Sequence, residues 1–77
     1  MKVFLQLKGP LKKYGNDSDT LELEFDRTIL TVREIAEQLG IPTSSVSFIQ
    51  VNGSKSSLDE SLKGGELIVF NPRVAGG

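Results

Sequence analysis

Seventy-seven residues specify one small domain with a single core, and a chain this short must be built regularly to bury enough apolar surface. Nine Lys plus Arg stand against ten Asp plus Glu, and Lys12-Lys13 is the one adjacent basic pair, so the concentrated positive surface that nucleic-acid binding needs is missing. With no Cys and no His, the chain has no thiol nucleophile, disulfide framework, Cys/His zinc site, iron–sulfur ligation or imidazole base titrating near neutrality.

Residues 2–8 alternate. Val3, Leu5 and Leu7 point one way and Lys2, Phe4, Gln6 and Lys8 the other, the period of a half-buried strand. This apolar stretch is too short for a signal peptide or a membrane span, so the chain reads as soluble and cytoplasmic. Residues 9–19, with Gly9, Pro10, Gly15, Asn16 and Asp17, read as a loop. A second strand is predicted over 20–26, with Leu21, Leu23 and Phe25 on one face. The period then changes. Thr31 followed by Glu34 is a capping-box pattern, and Val32, Ile35, Ala36 and Leu39 make one apolar stripe, which predicts a helix over 31–39 closed by Gly40 and Pro42.

A third strand is predicted over 46–51, with Ile49 and Val51 inward and Phe48 outward, because the opposite facing buries Gln50. Asn52-Gly53 is a hairpin turn signal. Residues 58–62 read as one helical turn and Lys63-Gly64-Gly65 as a tight turn. The last strand is predicted over 66–70, with Leu67 and Val69 inward, and Asn71-Pro72 ends it. The serines have no His to activate them and sit in polar segments, so they read as turn formers; no catalytic residue and no metal ligand is predicted.

The order is ββαβ, a turn, then β. One helix must cover one face of a mixed sheet, and the two most apolar strands, first and last, pair in parallel at its centre because the helix lies in the crossover between them. This is an α+β chain with the ubiquitin-like β-grasp layout (ββαββ): residues 1–72 form the domain and residues 73–77 a flexible C-terminal tail. With Val3, Leu5, Leu67 and Val69 toward the helix, Phe4, Ile68 and Phe70 point away and, with Phe48, form an apolar partner surface on the open face. Arg73 joins it at the base of the tail. Gly76-Gly77 makes the end thin, with no side chain beside the carboxylate, so it can thread into a narrow site on another protein.

Val51-Asn52-Gly53, Leu58, Leu62, Gly65-Glu66, Phe70, Pro72 and Val74-Ala75-Gly76-Gly77 resemble the second half of the MoaD/ThiS sulfur-carrier proteins. The ending from Phe70 to Gly77 is most similar to the small subunit of molybdopterin synthase. The resemblance implies a carrier, not an enzyme. The Gly77 carboxylate is adenylated by a ubiquitin-activating-type enzyme of the MoeB/ThiF kind, which uses ATP and Mg²⁺; sulfur then replaces AMP, and the resulting thiocarboxylate donates sulfur to a synthase subunit. The carrier binds no cofactor, and Val74, Ala75 and Gly76 line the partner's channel. The implied pathway is molybdopterin (Mo/W cofactor) synthesis; thiamine thiazole formation, tRNA thiolation and ubiquitin-like conjugation through Gly77 use the same activated terminus. This chain departs from the pattern at Arg73, where the family usually has a second Pro, and at Glu66, where it more often has Asp.

Overall fold

The structure, a computed structural model, describes residues 1–73. Its elements run β1 (Lys2–Leu7), a 3-10 helix (Gly9–Gly15), β2 (Thr20–Glu24), β3 (Leu30–Thr31), α1 (Val32–Leu39), a short 3-10 turn (Thr43–Ser45), β4 (Val46–Val51), β5 (Ser54–Ser56), β6 (Ser61–Leu62) and β7 (Leu67–Pro72). The main sheet has the order β2-β1-β7-β4-β5, and β3 pairs with β6 in a two-stranded ladder. β1 and β7 run parallel at the centre, while β2 and β4 flank them antiparallel. The mixed sheet with one main helix is therefore the β-grasp that the order of elements predicts.

Helix α1 forms where the apolar period changes. The Glu34 amide donates to Thr31 Oγ1 at 3.3 Å, and the Thr31 amide donates to Glu34 Oε1 at 3.2 Å, closing the capping box. Gly40 ends the helix at φ 71°, its N–H donating to the Ala36 and Glu37 carbonyls. Val32, Ile35 and Ala36 are buried against Val3, Leu5, Leu7, Ile49 and Leu62 of the core. Thr31→Ala removes one cap acceptor and is expected to lower stability by about 1 kcal/mol, read as a lower urea midpoint at unchanged slope.

Three expectations are corrected. The loop over 9–19 contains the 3-10 helix, which packs against central strands β1 and β7 and buries Leu11 at 3% exposure. Residues 58–62 are not a helical turn. The Leu58 and Glu60 carbonyls accept from the Arg33 and Val32 amides at 2.8 and 3.1 Å, satisfying two otherwise unpaired donors of the first turn of α1. Leu62, fully buried, then pairs with Leu30 in the β3–β6 ladder.

The third correction concerns β7. Leu5 lies abreast of Ile68 and Leu7 abreast of Phe70. Ile68 and Phe70 are 0% exposed and belong to the core. Residues abreast on paired strands share a face, so once Leu5 and Leu7 face the helix, Ile68 and Phe70 must face it too. They are not on the open face, and Leu67 and Val69 are not toward the helix. The strand also continues through Pro72, which sits opposite Val46. In β4 the expected facing is found: Ile49 is 4% exposed, Val51 packs on the core, and Phe48 is 41% exposed. Among the described residues no helix is long and apolar enough to cross a membrane.

Candidate functional site

The end of β7 carries the exit of the chain, and the sheet face opposite α1 runs from there back along the strand to Leu67. Because β7 is central, its last residues emerge between elements that hold them on both sides. The Lys8 amide donates to the Phe70 carbonyl at 3.2 Å. Gly9, at φ 54°, lies so close that a Cβ there would stand 3.2 Å from Pro72 Cγ. On the other side the Arg73 amide donates to the Ser45 carbonyl and Arg73 Nε to the Ser44 carbonyl, both at 3.0 Å. Arg73, expected as the first residue of the tail, is thus tied to the turn preceding β4. Val74, Ala75, Gly76 and Gly77 lie outside the described residues.

The open face is set by register. Phe4 on β1 lies abreast of Leu67 on β7, and Gln6 abreast of Val69; Gln50 on β4 faces Val69 from the other side, and Phe48 faces Asn71. Val69 is 8% exposed yet stands outside the core cluster, so its neighbours on the open face cover it. Of the residues expected on this surface, Phe4 and Phe48 are there, and Ile68 and Phe70 are not. Leu67 and Val69 take their place. The parallel pairing of β1 and β7 was the signal that could have assigned them, since it couples the facing of one strand to that of the other.

Polar groups border the apolar strip. Glu22 and Glu24 on β2 lie on one flank, with Lys2 Nζ 3.6 Å from Glu22. Asn71 Nδ2 donates to the Phe48 carbonyl and to Gln50 Oε1, each at 3.4 Å.

At the opposite end of β7, Glu66 folds its own turn. Its carboxylate accepts from the Lys63 and Gly64 amides at 2.8 and 2.7 Å, which holds Gly64 and Gly65 at φ 121° and 87°. Partial burial raises the Glu66 pKa, but the amides of Lys63, Gly64 and Glu66 itself and the nearby Lys63 ammonium outweigh it, leaving the group below its ordinary value. A carboxylate depressed in the folded state contributes stability above its unfolded pKa and loses it as pH falls through the folded pKa. Glu66→Gln is therefore expected to lower the melting temperature at neutral pH and to reduce the loss on acidification below the ordinary Glu range. Melting curves of both proteins from neutral pH to pH ~3 check this, the gap narrowing in acid because the parent's Glu66 protonates.

The Mut7-C ubiquitin family model matches residues 3–76. No curated protein sequence gives a significant match. Among solved structures, SAMP1 from Haloferax volcanii superposes with a TM-score of 0.73 at 20% identity, covering 100% of both chains. A putative molybdopterin converting factor subunit 1 from Pyrococcus furiosus gives 0.71 at 23% identity, covering 96% of this chain and 99% of that one. The complex of subunits 1 and 2 of molybdopterin-converting factor from Helicobacter pylori gives 0.63 at 23% identity, with 100% of both chains covered. At these identities the superpositions establish a common fold. The family match spans nearly every strand and helix described above, so the chain belongs to the Mut7-C ubiquitin family and carries the ubiquitin-like β-grasp.

Proposed function

We propose that this chain is a ubiquitin-like sulfur carrier and that its reagent is the carboxyl group of Gly77. The observation that carries this reading is the delivery of the chain's end. Central strand β7 leads to Arg73, Arg73 is held by the Ser44 and Ser45 carbonyls, and in sequence Val74-Ala75-Gly76-Gly77 follows; the open face of the same sheet bears Phe4, Leu67, Val69 and Phe48. From that anchor, four residues reach about 13–14 Å at about 3.3–3.6 Å each, enough to enter a partner's pocket while the domain stays outside. Val74 and Ala75 are small enough to follow the glycines into a channel.

The chemistry belongs to the partners. A carboxylate is a poor acyl donor, so an adenylating enzyme of the MoeB/ThiF kind, using ATP and Mg²⁺, first joins a Gly77 oxygen to the α-phosphorus and expels pyrophosphate. A persulfide sulfur displaces AMP from the acyl carbon, and a thiol cleaves the sulfur–sulfur bond, leaving the thiocarboxylate. That anion attacks a small molecule held by a synthase subunit. The chain itself is a carrier and binds no cofactor. Its ending from Phe70 to Gly77, and its shared fold with a putative molybdopterin converting factor subunit 1 and with a molybdopterin-converting factor solved as a complex of subunits 1 and 2, favour the molybdopterin pathway. The open face is the surface on which activator and synthase dock.

Mass spectrometry tests the reading. After incubation with a MoeB/ThiF-type enzyme, ATP, Mg²⁺ and a persulfide source, the C-terminal peptide should exchange one oxygen for sulfur. No exchange and no pyrophosphate release overturns the proposal. A ladder of high-mass adducts on an immunoblot of cell extract reassigns the activated terminus to protein conjugation.

A further inference from the structure

β5 covers less of β4 than β7 does. β7 faces β4 from Val46 to Val51, whereas β5 pairs with Ile49, Gln50 and Val51 and stops at Ser56. Residues 46–48 therefore have a strand on one side and none on the other. Where β5 would continue lies a cleft of about 200 Å³. Its apolar lining is Val46, Phe48, Ile49 and Leu58, and its one charged lining residue is Lys55.

The register sorts these groups. Val46 and Ile49 are buried on the core side, and Leu58 packs there. Phe48 is exposed, and Lys55 lies abreast of Gln50 on the open face. Lys55 takes part in none of the ion pairs among the described residues. A strand laid along residues 46–48 would turn alternate side chains to these two sides. One would meet the floor of Val46, Ile49 and Leu58; the next would meet Phe48 and the ammonium of Lys55. The register shift between Val46 and Phe48 bends the edge, so only a short segment can pair and open-ended stacking of copies is discouraged.

We propose that this edge binds an extended peptide segment of another protein by strand addition to β4, an apolar side chain resting on Val46, Ile49 and Leu58 and the adjacent carboxylate pairing with Lys55. Backbone hydrogen bonds supply the attachment, and the alternation of apolar and acidic side chains supplies the selectivity. A symmetric pairing of two copies would instead set two Lys55 side chains along one short ladder, where like charges repel. The groove adjoins the chain's exit, since Val46 lies opposite Pro72, and shares Phe48 with the open face, but the inference does not depend on sulfur transfer.

The test is a titration of the ¹⁵N-labelled full chain with an N-acetylated, C-amidated heptapeptide of alternating valine and aspartate. Amide shifts confined to residues 43–48 and 55–58 are expected. Lys55→Glu should weaken binding about tenfold or more, and a lysine-for-aspartate peptide should bind the parent more weakly by a similar factor. Ser57→Trp, which fills the cleft from an exposed position, should abolish binding at an unchanged melting temperature. A peptide N-methylated on its backbone should not bind, because it cannot form the ladder. The proposal is overturned by no shifts at millimolar peptide, by equal binding of the N-methylated peptide, or by shifts that map to Phe4, Leu67 and Val69. Concentration-dependent shifts at the same residues without peptide also overturn it, since they make a second copy the occupant.

Discussion

Removal of Gly77 is expected to abolish the proposed thiocarboxylate formation and to leave the melting temperature where it was. The asymmetry follows from where the two properties reside. The buried side chains of the described domain run from Val3 to Phe70, and removing a glycine takes no side chain from that core. The proposed adenylation would depend on where the carboxylate stands. Deleting one residue draws it back by about 3.3–3.6 Å, and a misplacement near 1 Å can already cost on the order of a hundredfold in rate. Gly77→Ala keeps the length and adds a Cβ beside the terminal carboxyl, which a glycine-width channel of the proposed partner would exclude. Both variants should lose ATP–pyrophosphate exchange with the activating enzyme and gain no sulfur in the mass spectrum. If the shortened chain still exchanges pyrophosphate at the parent's rate, the terminal carboxyl is not the reagent and the carrier reading fails.

Phe70→Ala has the largest expected effect on stability. Its side chain is 0% exposed between β1, α1 and β4, so truncation loses its transfer free energy and leaves a cavity, together about 3–5 kcal/mol. A domain of this length has about 5–15 kcal/mol at most to lose, and each kcal/mol moves the melting temperature by about 4–8 °C. The variant should melt at least ~12 °C lower and be partly unfolded at 37 °C. Phe4→Ala is the contrast. Phe4 is half-buried on the open face, so its truncation should cost much less stability and instead weaken docking of the activating enzyme. Urea unfolding of the two variants separates the sites. A Phe70→Ala protein as stable as Phe4→Ala would mean that β7 has the opposite facing from the one described.

That facing marks the limit of what the sequence made legible. β1 and β2 could be recognised by their alternation, and α1 by Thr31, Glu34, its apolar stripe and Gly40, whereas the short strands β3, β5 and β6 carry no such signal. For Leu67-Ile68-Val69-Phe70 there is no alternation to read, because all four residues are apolar. A central strand that is apolar on its open face as well as on its core face lacks the polar positions that tell inside from outside. The answer came from a partner more than sixty residues away, where Leu5 and Leu7 lie abreast of Ile68 and Phe70. The segment 58–62 was misread for a related reason. Leu58 and Leu62 have helical spacing, but their backbone was claimed by the first turn of α1 and by β3.

By itself the sequence determined the order of the four main strands and α1, the boundaries of α1, the turn at Asn52-Gly53, the mixed α+β layout and the glycine pair at its end. These are local matters of side-chain period, capping and backbone freedom, and no distant partner is needed to fix them. Only the tertiary structure decided which face of β7 is core, that Arg73 is anchored to Ser44 and Ser45, and that β5 stops short and leaves residues 46–48 without a strand beside them. Each of these depends on register between segments far apart in the chain, and register is a property of the pair, which neither strand encodes alone.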